Sequence, residues 1–476
     1  MKLSAHKQKI QIQFDALAEK RRRWKAKNAY YYTSQTAYLR FLVPPGKRVL
    51  ELGCGTGELL AALEPGFGVG VDLSEAMIKR AQADYPDLKF LAGDAENPAT
   101  WGIKEPFDYI ILPDLIGHLE DVQATFENLR PFCTPETRLV VTYYNFLWEP
   151  ALKFAEKIGF KMPQRMQNWL SPFDIKNLLH LADFETVKTD RRLLFPKKIP
   201  LLSRLFEALG GLPVINKLCL SSYLVARLKK RDPVAGKKSV SVVIPCLNEK
   251  GNIEPAVQRL PEMGTHAEII FVDGHSKDGT PEEIERVMRA YPDKDIKFLV
   301  QDGKGKGDAV RKGFGAATGE ILMILDADLT VAPEDLPKFF RAIASGKGEF
   351  INGTRLVYPM EKQAMRVLNL MGNKFFSLAF SWLLNQRIKD TLCGTKVISR
   401  ENYGRLAAGR AYFGDFDPFG DFDLLFGASK LNLKITEVPI RYRARQYGET
   451  QISRFRHGWL LLKMCVFAMR KLKIVR

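Results

Sequence analysis

Five apolar residues, Ile321-Leu-Met-Ile-Leu325, run straight into Asp326-Ala-Asp328-Leu-Thr330. So short a run without alternation suits a strand covered on both faces, the usual condition in a parallel sheet packed between helices. Two carboxylates one residue apart then stand where the strand stops, in the crevice beyond strand ends where open α/β sheets bind ligands. Asp326 and Asp328 are therefore expected to clamp Mg2+ or Mn2+, their hard oxygens leaving most of the shell to water and a substrate diphosphate. An acidic loop gives the same Asp-x-Asp, so the neighbouring segments must decide.

Ser241-Val-Val-Ile-Pro-Cys-Leu-Asn-Glu249 reads as a strand ending in Pro245 and the polar pair Asn248 and Glu249, and Ile269-Ile-Phe-Val-Asp273 as a second strand ending in a carboxylate. Gly274-His-Ser-Lys-Asp-Gly-Thr280 follows as a turn, with Thr280 expected to cap a helix that starts at Pro281. In Asp302-Gly-Lys-Gly-Lys-Gly-Asp308 the glycines expose backbone N–H groups and Lys304 and Lys306 add charge, both suited to phosphate.

Taken in this order, the segments resemble family 2 glycosyltransferases, most closely the dolichyl-phosphate mannosyltransferase and glucosyltransferase branch, over roughly residues 240 to 455. Pro245 to Glu249 matches the opening Pro-x-x-Asn-Glu, Val272 to Thr280 the Val-Asp-Asp-Gly-Ser-x-Asp-Gly-Thr, and Gly303 to Phe314 the Gly-Lys-Gly-x-Ala-x-x-x-Gly segment. Gly274 and His275 replace the family's second Asp and its Gly where base and ribose are held, so the nucleotide stays open. Gly353-Thr-Arg355, Asp390-Thr-Leu-Cys-Gly-Thr-Lys396, Asp421-Phe-Asp-Leu-Leu425, Glu437-Val-Pro439 and Tyr447-Gly-Glu-Thr450 look like the later motifs.

The resemblance implies a GT-A type sheet and inverting transfer of a sugar from a nucleotide diphosphate, often to a polyprenyl phosphate such as dolichyl or undecaprenyl phosphate. It places the metal on Asp326 and Asp328 and the nucleotide sugar on Pro245, Asn248, Glu249, Asp273, Lys304 and Lys306. Asp326, Asp328, Arg355, Lys396, Asp421 and Asp423 are its candidate catalytic residues. A phosphate monoester already carries more than one negative charge near pH 7 and attacks without a general base, so such an acceptor asks mainly for cations. Arg355, Arg366 and Arg445 are the candidates for its phosphate, with Lys396 beside them. Transfer to a soluble or saccharide hydroxyl is the alternative, in which Asp421 or Asp423 acts as base.

In the other half, Arg48-Val-Leu-Glu-Leu52 reads as a strand running into Gly53-Cys-Gly-Thr-Gly57 and a helix from Glu58. Alternate glycines let a ligand press against backbone at a helix N-terminus. About twenty residues later Val69-Gly-Val-Asp72 ends a second strand with a carboxylate placed for ribose hydroxyls. Phe90-Leu-Ala-Gly-Asp94 ends a third, and Phe107-Asp-Tyr-Ile-Ile-Leu112 leads to Asp114 and His118. The spacing departs from the dinucleotide Gly-x-Gly-x-x-Gly, and no lysine or serine makes a Walker loop.

Residues 48–145 resemble class I S-adenosylmethionine-dependent methyltransferases. The resemblance assigns Glu51, Gly53, Gly55 and Gly57 to the first motif, Asp72 to the ribose, Asp94 and Ala95 to the adenine and Asp114 to the segment facing the methyl group. It implies S-adenosyl-L-methionine as cofactor and leaves the methyl acceptor open; a cofactor-binding module without turnover is the alternative. His118 reads either as a base or as a packing residue.

With 476 residues and 46% hydrophobic content the chain has room for two or three domains with ordinary cores. A net charge of +18 suits nucleic acid, an anionic membrane surface or phosphorylated substrates. No nucleic-acid motif accompanies it, so phosphates and membrane are the expected partners and nucleic acid is not. Six cysteines without a Cys-x-x-Cys or a Cys/His cluster point to a reducing cytoplasm. The N-terminus has no signal-peptide hydrophobic region, and no apolar run reaches the roughly 18 residues of a spanning helix.

The expected organisation is α/β in two domains. Residues 1–230 form a Rossmann-like class I methyltransferase sheet with a helical N-terminus and lid, 231–238 a linker, and 239–476 the GT-A sheet with a C-terminal amphipathic helix. Leu201-Leu-Ser-Arg-Leu-Phe206 is expected as a core helix, with membrane contact as the alternative. Trp459 to Met469, flanked by Arg454, Arg456, Arg470, Lys471 and Lys473, suits either an anionic bilayer surface or docking on its own domain. The localisation expected is cytoplasmic, peripheral at the cytoplasmic face of a membrane.

Overall fold

The run Ile321–Ile324 lies fourth of seven strands in its sheet and is buried along its whole length, as a central strand must be when both faces carry helices. The structure is a computed structural model that describes residues 3–163, 168–200, 202–229, 237–355, 367–412, 422–440, 443, 445, 447 and 454–473. The chain divides into two units, Met1–Lys229 with Lys473–Arg476, and Lys230–Leu472. Residues 231–236 of the expected linker lie outside the described residues, as do Arg366 and Asp421.

In the first unit the described strands are β1 (Arg48–Leu52), β2 (Phe67–Asp72), β3 (Lys89–Ala92), β4 (Phe107–Pro113), β5 (Cys133–Tyr144), β6 (Phe184–Arg192) and β7 (Ser221–Leu228). Their order is β3-β2-β1-β4-β5-β7-β6, parallel from β3 to β5, with β7 antiparallel to both neighbours. The order reverses between β1 and β4, so the crevice at their carboxyl ends is where a ligand fits, and the glycine turn and Asp114 emerge there. Leu50, Leu52, Ile110 and Leu112 are fully buried, each worth about 1.5–3 kcal/mol of transfer free energy. Glu51 sits among them, a carboxylate inside a strand that otherwise buries hydrocarbon.

In the second unit the strands are β8 (Val240–Cys246), β9 (Ala267–Asp273), β10 (Asp295–Val300), β11 (Ile321–Ile324), β12 (Phe350–Thr354), β13 (Lys396–Ser399) and β14 (Ile435–Pro439), in the order β10-β9-β8-β11-β13-β12-β14. β13 alone among them runs antiparallel, pairing with β11 and β12. Here too the order reverses, between β8 and β11, so Glu249 and Asp326 follow the two strands that flank the switch.

Two expectations change. The helix Thr280–Ala290 starts one residue early with Gly279 as its cap, because the Thr280 hydroxyl is used elsewhere: it donates to Asp278 Oδ1 at 2.5 Å and accepts from Glu249 N at 3.0 Å. The segment around Leu201–Phe206 is not a core helix. Leu202–Gly210 is helical, but only Gly210 of it is buried and Leu202 and Leu205 are exposed. Its attachments are peripheral: Tyr30 donates to Glu207 at 2.9 Å, and Asn216 Nδ2 donates to Gly210 O at 3.0 Å.

The C-terminal run is helical over Arg454–Ala468 and packs one side of that helix against protein, as docking requires. Leu461, Met464 and Ala468 are buried at helical spacing, while Trp459, Leu462 and Val466 are exposed. No helix of the described residues is long and apolar enough to cross a membrane.

Candidate functional site

In the first unit the strand ends enclose a cavity of about 200 Å3 lined by Glu51, Gly53, Asp72, Asp94, Ala95 and Asp114. Gly55 and Gly57 complete the turn in left-handed conformation, φ +54° and +81°, which only glycine adopts freely. A Cβ on Gly57 would also lie 2.6 Å from the Phe90 ring, so the loop can be neither substituted nor straightened cheaply. Asp72 anchors it, accepting from Gly55 N at 2.8 Å and Ser74 N at 2.9 Å. Burial raises the Asp72 carboxyl above its ordinary range despite these bonds. Glu51 is raised further, to about 8, chiefly by burial against the opposing pull of Lys25, and its Oε2 has no hydrogen-bond partner.

The helices Ala5–Lys27 and Ala29–Leu42 bring a second set of side chains to this cavity. Lys7 Nζ pairs with Asp94 at 2.6 Å and with Glu96, and Lys25 Nζ with Glu58 at 2.6 Å. Asp114, at φ +53°, is held on every side: Tyr31 OH donates at 2.6 Å and Gln35 Nε2 at 2.9 Å to Oδ2, and Thr142 Oγ1 at 2.9 Å to Oδ1. Burial and the Asp114 charge lift the Tyr31 phenol well above its usual range, so it stays a donor. His118 also lines the cavity, with the Phe14 ring set edge-on at 5.5 Å.

In the second unit Asp326 and Asp328 leave β11 with a cation on each. Lys306 Nζ lies 2.6 Å from Asp326 Oδ1, and Arg445 Nη2 lies 2.8 Å from Asp328 Oδ2 while its Nη1 reaches Glu249 Oε1 at 3.1 Å. Burial opposes ionisation of Asp326, yet Lys306, Lys396 and Arg355 together hold its carboxyl below the usual range. Burial raises Glu249 in spite of Arg445. Gly394 is required beside the pair, since a Cβ there would fall 1.9 Å from Asp326 Oδ2. The donor set suits a hard divalent cation, with charge-balancing bases already at hand to accept a diphosphate. Among the described residues no group of three His, Cys, Asp or Glu side chains is arranged for a metal.

The profile of Glycosyl transferase family 2 matches residues 241–405, and that of a methyltransferase domain residues 23–189. Dolichol-phosphate mannosyltransferase of Saccharomyces cerevisiae is 30% identical over 238 residues, covering 45% of this chain and 80% of that protein. The chain belongs to glycosyltransferase family 2. Glycosyltransferase AglJ of Haloferax volcanii is 28% identical over 226 residues, covering 47% of this chain and 69% of the relative. The solved structure of glucosyl-3-phosphoglycerate synthase from Mycobacterium tuberculosis with Mn2+, uridine-diphosphate and glucosyl-3-phosphoglycerate matches with a TM-score of 0.37 and 20% identity, over 49% of this chain and 80% of that one. The first unit is thus a methyltransferase domain and the second a family 2 glycosyltransferase with a mostly parallel sheet.

Within the glycosyltransferase unit the remaining candidates divide. Asn248, at φ +57°, knits two loops: its N–H donates to Ser276 Oγ at 2.8 Å and its Oδ1 accepts from Lys277 N at 2.8 Å. Asp273 Oδ2 accepts from His275 N and Ser276 N, while its buried Oδ1 has no partner. Pro245 lies in β8 and Lys304 is exposed in the glycine loop. Lys396 is buried and donates to Cys393 O at 2.5 Å. Arg355 is drawn into a buried two-pronged pair with Asp390, Nε at 2.7 Å and Nη2 at 2.8 Å from its carboxylate. Asp423 pairs with Arg410 at 2.8 Å.

Sequence reasoning missed Asp278, which ties the Glu249 loop to the Thr280 helix through Lys250 N, and the whole N-terminal set of Lys7, Lys25, Tyr31 and Gln35. Asp278 stands inside the Val272–Thr280 motif without having been singled out, and no motif marks the N-terminal residues. The run Tyr30-Tyr-Tyr32 was the one visible signal, and it carries no chemistry until Asp114 stands beside it.

Proposed function

We propose that the glycosyltransferase unit moves a sugar, with inversion, from a nucleotide diphosphate to a polyprenyl phosphate, and that the methyltransferase unit uses S-adenosyl-L-methionine. The observation that carries the first reading is the cation on each carboxylate beyond β11: Lys306 at Asp326, and Arg445 at Asp328. Such a site exchanges protein cations for a metal ion and a diphosphate with little change in net charge. Similarity to a protein named dolichol-phosphate mannosyltransferase supports the acceptor class.

An oxygen of the acceptor phosphate attacks the anomeric carbon as its bond to the donor diphosphate breaks, and the nucleoside diphosphate leaves. Asp326 and Asp328 would hold Mg2+ or Mn2+, which would supply positive charge at the leaving diphosphate. Lys306 and Arg445, freed from the carboxylates, meet phosphate oxygens. Lys396 stays near Asp326 as a buried positive charge. Asp273 and Asn248 hold the loops that border the nucleoside. With both forks on Asp390, Arg355 acts by keeping its strand end in place. The hydroxyl-acceptor alternative would call on Asp421, which lies outside the described residues, or on Asp423, which pairs with Arg410 at 2.8 Å.

S-adenosyl-L-methionine supplies its sulfonium methyl to an acceptor. Glu51, the glycine turn, Asp72 and Asp94 with Ala95 would hold it, and the unpartnered Glu51 oxygen and the glycine cradle fit such a ligand. Methyl transfer asks chiefly for in-line alignment, and Tyr31 and Gln35 hold the Asp114 segment in one place at that end of the cavity. We place the boundary between the activities in 231–238. The exposed Trp459, Leu462 and Val466 with neighbouring bases support a peripheral site on a membrane, and the six free cysteines support its cytoplasmic face.

The test is incubation of the full chain with a panel of nucleotide sugars, polyprenyl phosphate and Mn2+, with mass spectrometry of the organic phase. A sugar-phosphoryl lipid is the expected product. Label appearing only on a water-soluble acceptor would overturn the lipid assignment.

A further inference from the structure

The apolar surface of the methyltransferase unit is gathered in two segments. In 146–160, Leu147, Phe154, Ile158 and Phe160 are exposed, and in 195–218 Leu202, Leu205, Leu212, Val214 and Leu218 are, Val214 by 75%. The segments join into one band. Trp148 Nε1 donates to Leu218 O at 2.7 Å and Asn145 Nδ2 to Lys217 O at 2.8 Å. At the other end Lys197 Nζ lies 5.9 Å from the Phe160 ring centre, and the Phe195 and Phe206 rings are 6.0 Å apart. So much clustered hydrocarbon is unusual on a surface that faces only water.

Charge decides what covers it. Across 195–218 the charged side chains are Lys197, Lys198, Arg204 and Lys217 against Glu207, and across 146–160 Lys153 and Lys157 balance Glu149 and Glu156, so the band as a whole is basic. A second copy of the chain docking by twofold symmetry would set these bases against themselves. An anionic surface with an apolar interior answers both features, since bases meet headgroups while leucines and valines enter the acyl boundary. The helix Leu202–Gly210 has the form for this, with Leu202 and Leu205 outward on one side.

We propose that the methyltransferase unit docks on an anionic lipid bilayer through this band, independently of the C-terminal helix. The band also borders the first cavity: Lys161 Nζ lies over the Tyr144 ring at 5.4 Å, and Tyr144 lines that cavity.

The test uses the full chain and sedimentation with vesicles of phosphatidylcholine, alone or mixed with phosphatidylglycerol. Trp459→Glu/Val466→Glu serves as background, so that failure of the C-terminal contact is read separately. Adding Leu205→Glu/Val214→Glu is expected to lower partition at least about tenfold. Lys198→Glu/Arg204→Glu is expected to lower it on the anionic vesicles only. These positions are exposed, and an unchanged far-UV spectrum verifies the fold. Unchanged partition with Leu205→Glu/Val214→Glu overturns the proposal, as does absence of any binding by the background chain. A wild-type dimer that this pair makes monomeric, without vesicle binding, assigns the band to a second copy instead.

Discussion

The two units place carboxylates at equivalent strand ends and leave them in opposite electrical states. In the methyltransferase unit desolvation pushes the buried Glu51 and the half-buried Asp72 upward, Glu51 to about 8, with one Glu51 oxygen lacking any partner. In the glycosyltransferase unit burial also opposes ionisation of Asp390 and of Asp326, whose side chain keeps 27% of its exposure, yet Arg355 holds the first and Lys306 the second below the usual range. The difference teaches what each crevice is prepared for. A buried acid whose nearby base is paired elsewhere, as Lys25 is with Glu58, favours a ligand that brings its own donors, whereas an acid paired directly with a base favours exchange of one cation for another.

Removing a base should make the second unit resemble the first, at a large cost. Arg355→Ala leaves Asp390 buried and unpaired, and urea unfolding should show a loss of about 3–5 kcal/mol. If stability is unchanged, the pair is not the reason Asp390 tolerates burial. Asp326→Ala tests the exchange itself: sugar transfer at saturating Mn2+ should fall roughly 100- to 1,000-fold while the fold persists. A variant with normal turnover would overturn the proposal that Asp326 holds a metal.

Glu51→Gln works in the opposite direction by relieving the first unit. Because the folded acid binds its proton up to about 8 while the unfolded one releases it near 4.5, stability falls as pH rises through that window and is level above it. Melting of the ligand-free chain across this range should show the Gln variant losing that decline, a gain on the order of 2–4 kcal/mol at the alkaline end. Parallel pH curves for the two proteins would mean that Glu51 is not held protonated. The smallest effect is expected from Lys7→Ala, whose pairs with Asp94 and Glu96 are partly open to solvent. Amide exchange in the helix Ala5–Lys27 should quicken by a few-fold, under about 1 kcal/mol; undiminished protection would show that packing alone secures the helix.

Much of both sheets was legible because a strand buried on two faces has to be apolar and short, and a carboxylate at its end has to be explained. Ile321-Leu-Met-Ile-Leu325 and Asp326, or Val69-Gly-Val-Asp72, state this within single segments. Arg355 was legible as a base near phosphate chemistry but not as the partner of Asp390, 35 residues away, because charge along the chain says nothing about which carboxylate it will meet. The helix Leu202–Gly210 misled for a related reason: its apolar side looks the same whether a core or a lipid surface is to receive it.

The sequence by itself determined the kinds of strand, the glycine turn and the order of acidic ends, since these follow from local sterics and from the hydrocarbon each segment must hide. Tertiary structure alone decided which charges meet: Lys306 with Asp326, Arg445 with Asp328 and Glu249, and Tyr31 and Gln35 with Asp114. An ion pair depends on distances between segments far apart in the chain, and those are fixed only when the sheets and their covering helices have closed.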